Sequence, residues 1–377
     1  MGTTRRTFLN YSCASIALAA PGISLAAESA PLKIRTNPPY RRIATEEAWI
    51  SEAVRKGFYN FLNGGALDEP GFKAMGAFIY GRGEDSPIVS ALSDIGANRI
   101  AAMDELGIHM QVLSLTAPGV QVFDAPTATA LAIDSNDQLV ESVRKYPDRL
   151  AGLAAVPPQD PAAAAKEIDR AINTLGLNGV IISSHTKGEY LDKEKYWEIF
   201  EAAEAADAAI YLHPRTPSPD MLQPYVSRGL EMAILGFGAE VALHVVALIT
   251  NGVFDRFPGL KLVIGHAGEG LPYWLYRIDY MQKNVREASR GRLKLKMLPS
   301  DYFKKNIFVT SSGVAWEPAI LFAQQNLGVS QVMYAMDYPY QVKAKEVAIS
   351  DHFDMTDADK NAFFQSNAER VFNLKST

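Results

Sequence analysis

Ionisable side chains close four of the apolar runs in this chain. Glu46 and Glu47 lie in RIATEEA, His213 in AAIYLHP, His266 in KLVIGHAG and Asp337 in VMYAMDYP. Two carboxylates and an imidazole that converge on one point can hold a divalent cation and leave positions open for water or substrate. Oxygen-rich ligation without a thiolate favours Mn²⁺ or Mg²⁺, with Zn²⁺ also possible. A cation would also stabilise Asp337, whose carboxylate is costly to bury alone. The pattern therefore predicts one catalytic metal ion.

Eight apolar runs of strand length alternate with helical patterns and would position these residues. The runs span 42–48, 110–116, 150–157, 179–184, 208–214, 261–268, 306–312 and 332–339, and examples of the helical patterns span 162–175, 194–206, 239–249 and 317–327. The runs are nearly continuous in hydrophobicity, which is typical of parallel strands buried on both faces. The number of units predicts an α/β fold of the (β/α)8 TIM barrel type, whose active sites form at the C-terminal ends of the strands.

The alternative arrangement is a doubly wound open sheet. It is less favoured because no glycine-rich phosphate turn follows the first strand. The segment 49–109 is longer than a simple crossover between two strands. It predicts an insertion after strand 1 that forms a cap or an oligomer contact.

The composition limits the class of protein. The 377 residues are 48% hydrophobic with a formal net charge of −5, so the chain can bury a large core, and no basic block suggests a nucleic-acid partner. Arg5 and Arg6 precede a modest apolar stretch, which predicts a twin-arginine export signal over residues 1–26 and a single barrel domain over 27–377. The expected location is the periplasm, or the cytoplasm if the signal is not used.

The mature protein predicted in this way has no cysteine, because Cys13, the only one, lies in the signal. Disulfides and thiolate ligands are therefore excluded for it. No remaining apolar run reaches the length of a membrane-spanning helix.

Further polar residues fit supporting roles. Glu269 lies three residues after His266 and can orient its ring. Arg277 is the candidate for gripping a substrate carboxylate. His185 follows the fourth strand and is either a pocket residue or a structural one, whereas His244 lies in an apolar helix and is interpreted as a core residue.

Several of these motifs resemble the decarboxylase branch of the amidohydrolase superfamily. The similar segments include RIATEEAW, YLHP, GHAGEGLPYWLYRIDYM, SSGVAWEPAI and MYAMDYPYQ, and the likeness extends over nearly everything after Arg41. The resemblance implies an amidohydrolase-type barrel, a manganese ion and a homodimer or homotetramer. It also implies a role in the breakdown of aromatic compounds: non-oxidative decarboxylation of an ortho-hydroxylated aromatic acid, such as 5-carboxyvanillate or a similar hydroxybenzoate.

The resemblance also assigns expected roles to single residues. It implies that the metal ligands are Glu46, His213 and Asp337. His266 and Glu269 would form the acid/base or orienting pair, while Arg277 and Tyr340 would contact the substrate. Independently of the resemblance, Asp337 is the predicted proton donor, because apolar surroundings would raise its pKa. Arg82 is a weaker candidate for an arginine that a neighbouring subunit donates.

Two other functions remain open at this point. A metal-dependent hydrolase or lactonase would use the same ion to activate water. A periplasmic binding protein for aromatic acids would keep the barrel without the chemistry. The intact set of ionisable residues disfavours the binding protein, and the lack of a second ligand set disfavours a dinuclear hydrolase.

Overall fold

The computed structural model describes residues 32–64, 69–289 and 293–375, so the predicted export signal lies outside the described residues. Lys33–Thr377 form one compact unit. The strands of the described part are β1 (Ile43–Trp49), β2 (Met110–Leu115), β3 (Leu150–Ala155), β4 (Gly179–Ser183), β5 (Ala209–His213), β6 (Leu262–Ile264), β7 (Ile307–Thr310) and β8 (Val332–Met333). They form one parallel sheet in the order β1 to β8.

Helices connect the strands and surround them. The α-helices among the described residues are α1 (Glu52–Leu62), α2 (Pro70–Tyr80), α3 (Pro87–Ser93), α4 (Ala97–Glu105), α5 (Ala125–Lys145), α6 (Pro161–Asp169), α7 (Trp197–Ala205), α8 (Pro219–Val226), α9 (Gly236–Thr250), α10 (Val253–Arg256), α11 (Leu271–Met281), α12 (Pro299–Asn306), α13 (Glu317–Leu327), α14 (Ala344–Asp351), α15 (Asp357–Asn361) and α16 (Asn367–Val371). None of the described helices is both long and apolar enough to cross a bilayer.

The strands are buried along almost their whole length, which explains their continuous hydrophobicity. Side chains of one face fill the barrel and those of the other face pack against the helices. Backbone hydrogen bonds join β1 to the segment that directly follows β8, among them Thr45 N to Tyr334 O at 3.1 Å. The predicted TIM barrel is confirmed.

The eighth strand is much shorter than predicted. The apolar run was expected to be a strand over 332–339, but β8 ends at Met333. The residues that follow remain buried up to Met336 although they have left the ladder. Hydrophobicity reports burial and not ladder hydrogen bonds, so the run alone could not mark the end of the strand.

The predicted insertion between β1 and β2 contains α1 to α4. Side-chain caps begin two of these helices, because Ser51 accepts from Val54 N and Ser86 accepts from Val89 N. The ring of Phe58 in α1 contacts that of Phe72 in α2, with centroids 4.8 Å apart. The insertion thus packs as helices over one end of the barrel.

Candidate metal centre and active site

The three predicted ligands converge at the C-terminal end of the barrel. Glu46 comes from β1, His213 from the last position of β5 and Asp337 from the loop after β8. One potential ligand atom from each lies within 4.8 Å of the other two. The spacing is that of a site for a single cation. The role of each residue as a ligand stays a prediction.

The carboxylate of Glu46 shows that the site fits a cation. Its Oε2 accepts hydrogen bonds from the hydroxyls of Tyr211 and Thr310. Its Oε1 is buried and has no hydrogen-bond partner among the described residues. A Cβ atom at position 265 would collide with Oε2, so the glycine there leaves room for this carboxylate. A buried carboxylate oxygen without a hydrogen-bond partner is energetically unfavourable, and a bound cation would stabilise it.

The imidazole of His213 has a defined tautomer. Its Nδ1 lies 2.7 Å from the carbonyl oxygen of Pro214, which can only accept, so Nδ1 carries the hydrogen. Its Nε2 lies 3.2 Å from Glu46 Oε1. A histidine that donates through one nitrogen presents the lone pair of the other nitrogen to a metal. The ring is therefore oriented as a ligand.

His266 and Glu269 form the contact that was expected of them. The Nδ1 of His266 donates to Glu269 Oε1 at 2.6 Å, and its Nε2 faces Glu46 Oε1 at 3.7 Å. Both residues have a positive φ of 54° in the tight turn that follows β6. The turn aims the ring at the centre of the site, beside the three candidate ligands.

The electrostatics of the cluster favour proton transfer chemistry. Burial raises the pKa of Asp337, and the nearby Glu46 carboxylate raises it further. Burial alone would raise the pKa of Glu46, but His266 and His213 outweigh it and the pKa is lowered. Burial lowers the pKa of His266, while Glu269 and Glu46 reverse this and raise the pKa to about 10. The arrangement pairs one carboxyl that holds a proton with one that stays ionised.

An apolar pocket of about 290 Å³ opens beside these residues. His213, His266 and Asp337 form its floor with Tyr340, which the sequence predicted as a substrate contact. The walls are mostly apolar: Met75, Phe78, Ile79, Ile88, Met232 and Phe237. The volume is at the small end of ligand sites and suits a single substituted ring. No lysine or arginine lines the pocket among the residues that the structure describes.

Two predicted substrate contacts do not reach this pocket. Arg277 lies on the exposed face of α11, in a shallow surface groove with Trp274 and Met281. The face of α11 that packs inward carries Leu271 and Leu275, which places position 277 on the other side. Within its own subunit, Arg277 is therefore a surface residue.

His185 is also outside the pocket. Its side chain is fully buried, its Nδ1 accepts from Gly188 N at 3.1 Å, and its Nε2 donates to the Thr216 carbonyl oxygen at 3.1 Å. Both ring nitrogens are thus used to hold loops together, which corrects the expected substrate contact in favour of the structural alternative.

A second histidine, His244, is held neutral in the core in the same way. It accepts from Leu191 N at 3.0 Å through Nε2, so its Nδ1 donates to Ser184 Oγ at 3.1 Å. Ser184 in turn donates to Glu240 at 2.9 Å. Burial lowers the pKa of His185 to about 2 and that of His244 to about 3. The predicted core role of His244 agrees with these contacts.

These two histidines should make the fold sensitive to acid. The pKa of each is lower in the folded state than the ordinary 6.5, so the unfolded chain binds protons first. Their contribution is present above pH 6.5 and is lost as the pH falls towards 3. Each should lower the free energy of unfolding by about 2 kcal/mol between pH 7.5 and pH 5.

Urea denaturation at the two pH values measures this effect. In His244→Gln the loss of stability between pH 7.5 and pH 5 should be smaller than in the wild type by about 2 kcal/mol. The exposed Gln325 provides the control, because it carries no titrating group and Gln325→Asn should leave the difference unchanged. Equal pH dependence in all three proteins would contradict the expectation.

Several residues of the site were missed in the sequence. Tyr211 and Thr310 were interpreted only as parts of apolar strands, although both contact Glu46. Tyr211 lies two positions before His213 on β5 and so shares its face of the strand, a signal that could have identified it. The pocket walls from α2 and α3 carried no such signal, because they belong to the insertion and meet the barrel only in the folded chain.

Comparisons with known proteins identify a family and several similar decarboxylases. A family model described as amidohydrolase matches residues 67–374. The γ-resorcylate decarboxylase of Polaromonas sp. is 34% identical over 293 residues, which cover 76% of this chain and 89% of that protein. These are similarities over most of both chains.

Two solved structures are similar over most of their length. A 5-carboxyvanillate decarboxylase from Novosphingobium aromaticivorans, complexed with manganese and 4-hydroxy-3-methoxy-5-nitrobenzoic acid, is 43% identical with a TM-score of 0.86, covering 91% of this chain and 99% of that one. A dihydroxybenzoic acid decarboxylase from Polaromonas sp., with bound manganese and the inhibitor 2-nitroresorcinol, is 30% identical with a TM-score of 0.77, covering 90% of this chain and 98% of that one.

Proposed function

The chain belongs to the amidohydrolase family, and from that premise we propose that it decarboxylates 5-carboxyvanillate or a similar ortho-hydroxylated benzoate. It is a metal-dependent, non-oxidative carboxy-lyase, as its relatives are. Its cofactor is a divalent metal ion, manganese in the two similar structures, with no organic cofactor. The observation that carries the proposal is the convergence of Glu46, His213 and Asp337 under an apolar pocket of ring size.

Loss of carbon dioxide from a benzoate is slow because the departing electrons would occupy an aryl orbital outside the π system. An ortho phenolate can instead push electron density onto the carboxyl-bearing carbon. A cation held by Glu46, His213 and Asp337 would neutralise the substrate carboxylate and the neighbouring phenolate oxygen.

Asp337 is the proposed proton donor. Its carboxyl proton would pass to the carboxyl-bearing ring carbon, which briefly loses aromaticity. The bond from that carbon to the carboxylate then breaks, carbon dioxide leaves, and the electron pair restores the ring. Burial and the nearby Glu46 carboxylate raise the pKa of Asp337, which favours its protonated form once the arriving substrate has displaced its carboxyl group from the cation.

His266 is proposed to hold a substrate oxygen. Although burial lowers the pKa of His266, Glu269 and Glu46 raise it to about 10, so the ring is protonated at neutral pH. While Nδ1 donates to Glu269, Nε2–H can therefore donate to the phenolate or the carboxylate as charge shifts during the reaction. The apolar walls exclude water and fix the plane of the ring. These groups orient the substrate without taking part in bond breaking.

The direct test uses three substrates and control of the metal. Purified protein stripped with a chelator is expected to be inactive, and manganese should restore conversion of 5-carboxyvanillate, γ-resorcylate or 2,3-dihydroxybenzoate to the product lacking one carboxyl group. Chromatography of the products measures this and ranks the substrates. Metal binding with no conversion of any of the three would overturn the proposal.

The alternative reaction is hydrolysis of a lactone or an ester by a metal-bound water, with Asp337 as general base. No observation in the described structure favours it over decarboxylation, and the relatives named above are decarboxylases. Lactones and aryl esters therefore enter the same assay as a second arm.

We also propose that the protein works as a homodimer or homotetramer. Supporting this, α11 exposes large aromatic side chains, with Tyr273, Trp274 and Tyr276 at 77%, 53% and 85% exposure. Arg277 lies on the same face, so its predicted substrate contact would have to be made in a neighbouring subunit, as for Arg82. Sedimentation analysis of the wild type and Trp274→Ala tests the association, and a monomeric wild type would contradict it.

Finally, we propose that residues 1–26 direct export through the twin-arginine route and that residues 27–377 form the mature enzyme. The support is the sequence pattern around Arg5 and Arg6. Replacing both arginines by lysine should keep the protein in the cytoplasm, which cell fractionation measures. Unchanged distribution of the enzyme would contradict export by this route.

A further inference from the structure

The loop that carries Asp337 is not positioned by the strand before it. The last strand, β8, ends at Met333, four residues earlier. Asp337 itself has a φ of 72°, in the left-handed region that is unfavourable for a residue with a side chain. A backbone conformation of this kind persists only where its surroundings hold it. The contacts on either side of Asp337 therefore decide where its carboxyl group lies.

Glu47 makes those contacts. It follows the candidate ligand Glu46 on β1 and is completely buried. One carboxylate oxygen accepts from Met336 N at 3.0 Å, and the other accepts from Tyr338 N at 3.1 Å. These two amides are the nearest on each side of Asp337. The carboxylate thus replaces the missing strand ladder at this point of the barrel.

Two further contacts hold the same loop. Together with the hydrogen bonds of Glu47 to Met336 N and Tyr338 N they are called the clamp below. Ala48 N donates to Tyr338 O at 2.7 Å, so β1 holds Tyr338 through both its amide and its carbonyl group. The buried Arg99 donates to Ala48 O at 2.8 Å, and its guanidinium lies 4.6 Å from the centre of the Tyr338 ring. Burial raises the pKa of Glu47 to about 8, and the two backbone amides and the charge of Arg99 act in the opposite direction, towards the carboxylate. Arg99 therefore holds both Ala48 and the Tyr338 ring in place, and these two residues in turn fix the loop.

We propose that Glu47 is a positioning residue of the active site, which holds the two amides beside Asp337 so that the Asp337 carboxyl group faces the metal centre. The inference rests on the proposed function for its effect on turnover. Its effect on metal binding does not depend on which substrate the enzyme uses. Glu47 does not line the pocket, so it acts only through the backbone of Asp337.

Glu47→Gln tests this with little change of shape. The amide nitrogen of glutamine cannot accept, so one of the two backbone amides loses its partner and the loop is released. We expect manganese affinity, measured by titration calorimetry, to fall about 10-fold or more. At saturating manganese kcat should fall about 10-fold, with KM for the benzoate nearly unchanged. The absorption spectrum of the cobalt-substituted protein should also change, because the ligand geometry changes.

Glu167 offers a matched control. It is another buried glutamate with 4% exposure, and it pairs with Arg170 and Asn136 on the scaffold far from the pocket. Glu167→Gln should lower the melting temperature while leaving manganese affinity, the cobalt spectrum and kcat at their wild-type values. A Glu47→Gln protein that behaves in the same way would overturn the proposal, since its role would then be only structural.

The experiment distinguishes failure of the proposed function from failure of the role proposed for Glu47, and a second variant tests that role if Glu47→Gln does not fold. If the wild type decarboxylates none of the benzoates, the proposed function fails, but the calorimetry and the cobalt spectrum still decide the role of Glu47. If Glu47→Gln cannot be recovered folded, Arg99→Lys loosens the same clamp, because lysine cannot span the carbonyl groups of Ala48 and Ala91 or stack on Tyr338. Wild-type manganese affinity and kcat in that variant would overturn the proposal.

Discussion

An Asp337→Asn enzyme is expected to fold and to lose at least about 1,000-fold in kcat, because asparagine has no carboxyl proton to deliver to the ring carbon. The substitution preserves the size of the side chain and leaves the clamp on its backbone intact, so the effect should be chemical and not structural. The expected loss is among the largest for any single substitution in the pocket, since without the donor the ring carbon cannot be protonated.

The measurement is a turnover assay at saturating manganese, with metal content determined on the same sample. In deuterated water the wild type should place one deuterium on the carbon that lost the carboxyl group, and the variant should place none at a measurable rate. Asp207→Asn is the control, because Asp207 pairs with Lys261 on the surface. An Asp337→Asn enzyme within tenfold of wild-type kcat would remove Asp337 from the role of donor.

Glu46→Gln is expected to lower manganese affinity by more than about 100-fold, beyond the range for residues that only orient a ligand. The wild-type carboxylate brings a full negative charge and an Oε1 with no other partner among the described residues. Glutamine removes that charge, and the hydroxyls of Tyr211 and Thr310 would then face an uncharged group. The site would lose its main attraction for a cation.

Calorimetric titration of the chelator-stripped protein measures this affinity. Activity should be absent at the manganese concentration that saturates the wild type and should return only in part at much higher concentration. Glu167→Gln serves again as a buried glutamate outside the pocket. Wild-type affinity in Glu46→Gln would mean that Glu46 is not a ligand, and His213 and Asp337 would need a different partner.

The sequence predicts those features of the fold and the site that leave a pattern of hydrophobic and ionisable residues along the chain. The eight strands were found because strands buried on both faces are continuously apolar, and an ionisable residue at such an end stands out. Asp337 was identified in this way, but its position was not, because the buried loop after β8 is as apolar as a strand. The backbone contacts of Glu47 that decide the position leave no trace in the local sequence.

Arg277 and His185 lie outside the pocket of this chain for different reasons. Arg277 was assigned to the substrate by its residue type and its motif. The helical spacing of Leu271 and Leu275 would have placed it on the outer face of α11. His185 lies two positions after the end of β4, but its side chain bonds to Thr216 and Gly188 and does not line the pocket. A residue near the C-terminal end of a strand lies close to the site, but the conformation of the loop decides which way its side chain points.

The origin of the pocket walls bears on how this enzyme could diversify. The candidate ligands come from the strands and the loops directly after them, whereas Met75, Phe78 and Ile79 come from the inserted helix α2. Substitutions in α2 can therefore change which ring substituents fit the pocket while the candidate ligands and the proposed proton donor stay unchanged. Randomising these three positions should therefore change which phenolic acids the enzyme binds without changing the candidate metal ligands, because the two sets of residues lie in separate parts of the chain.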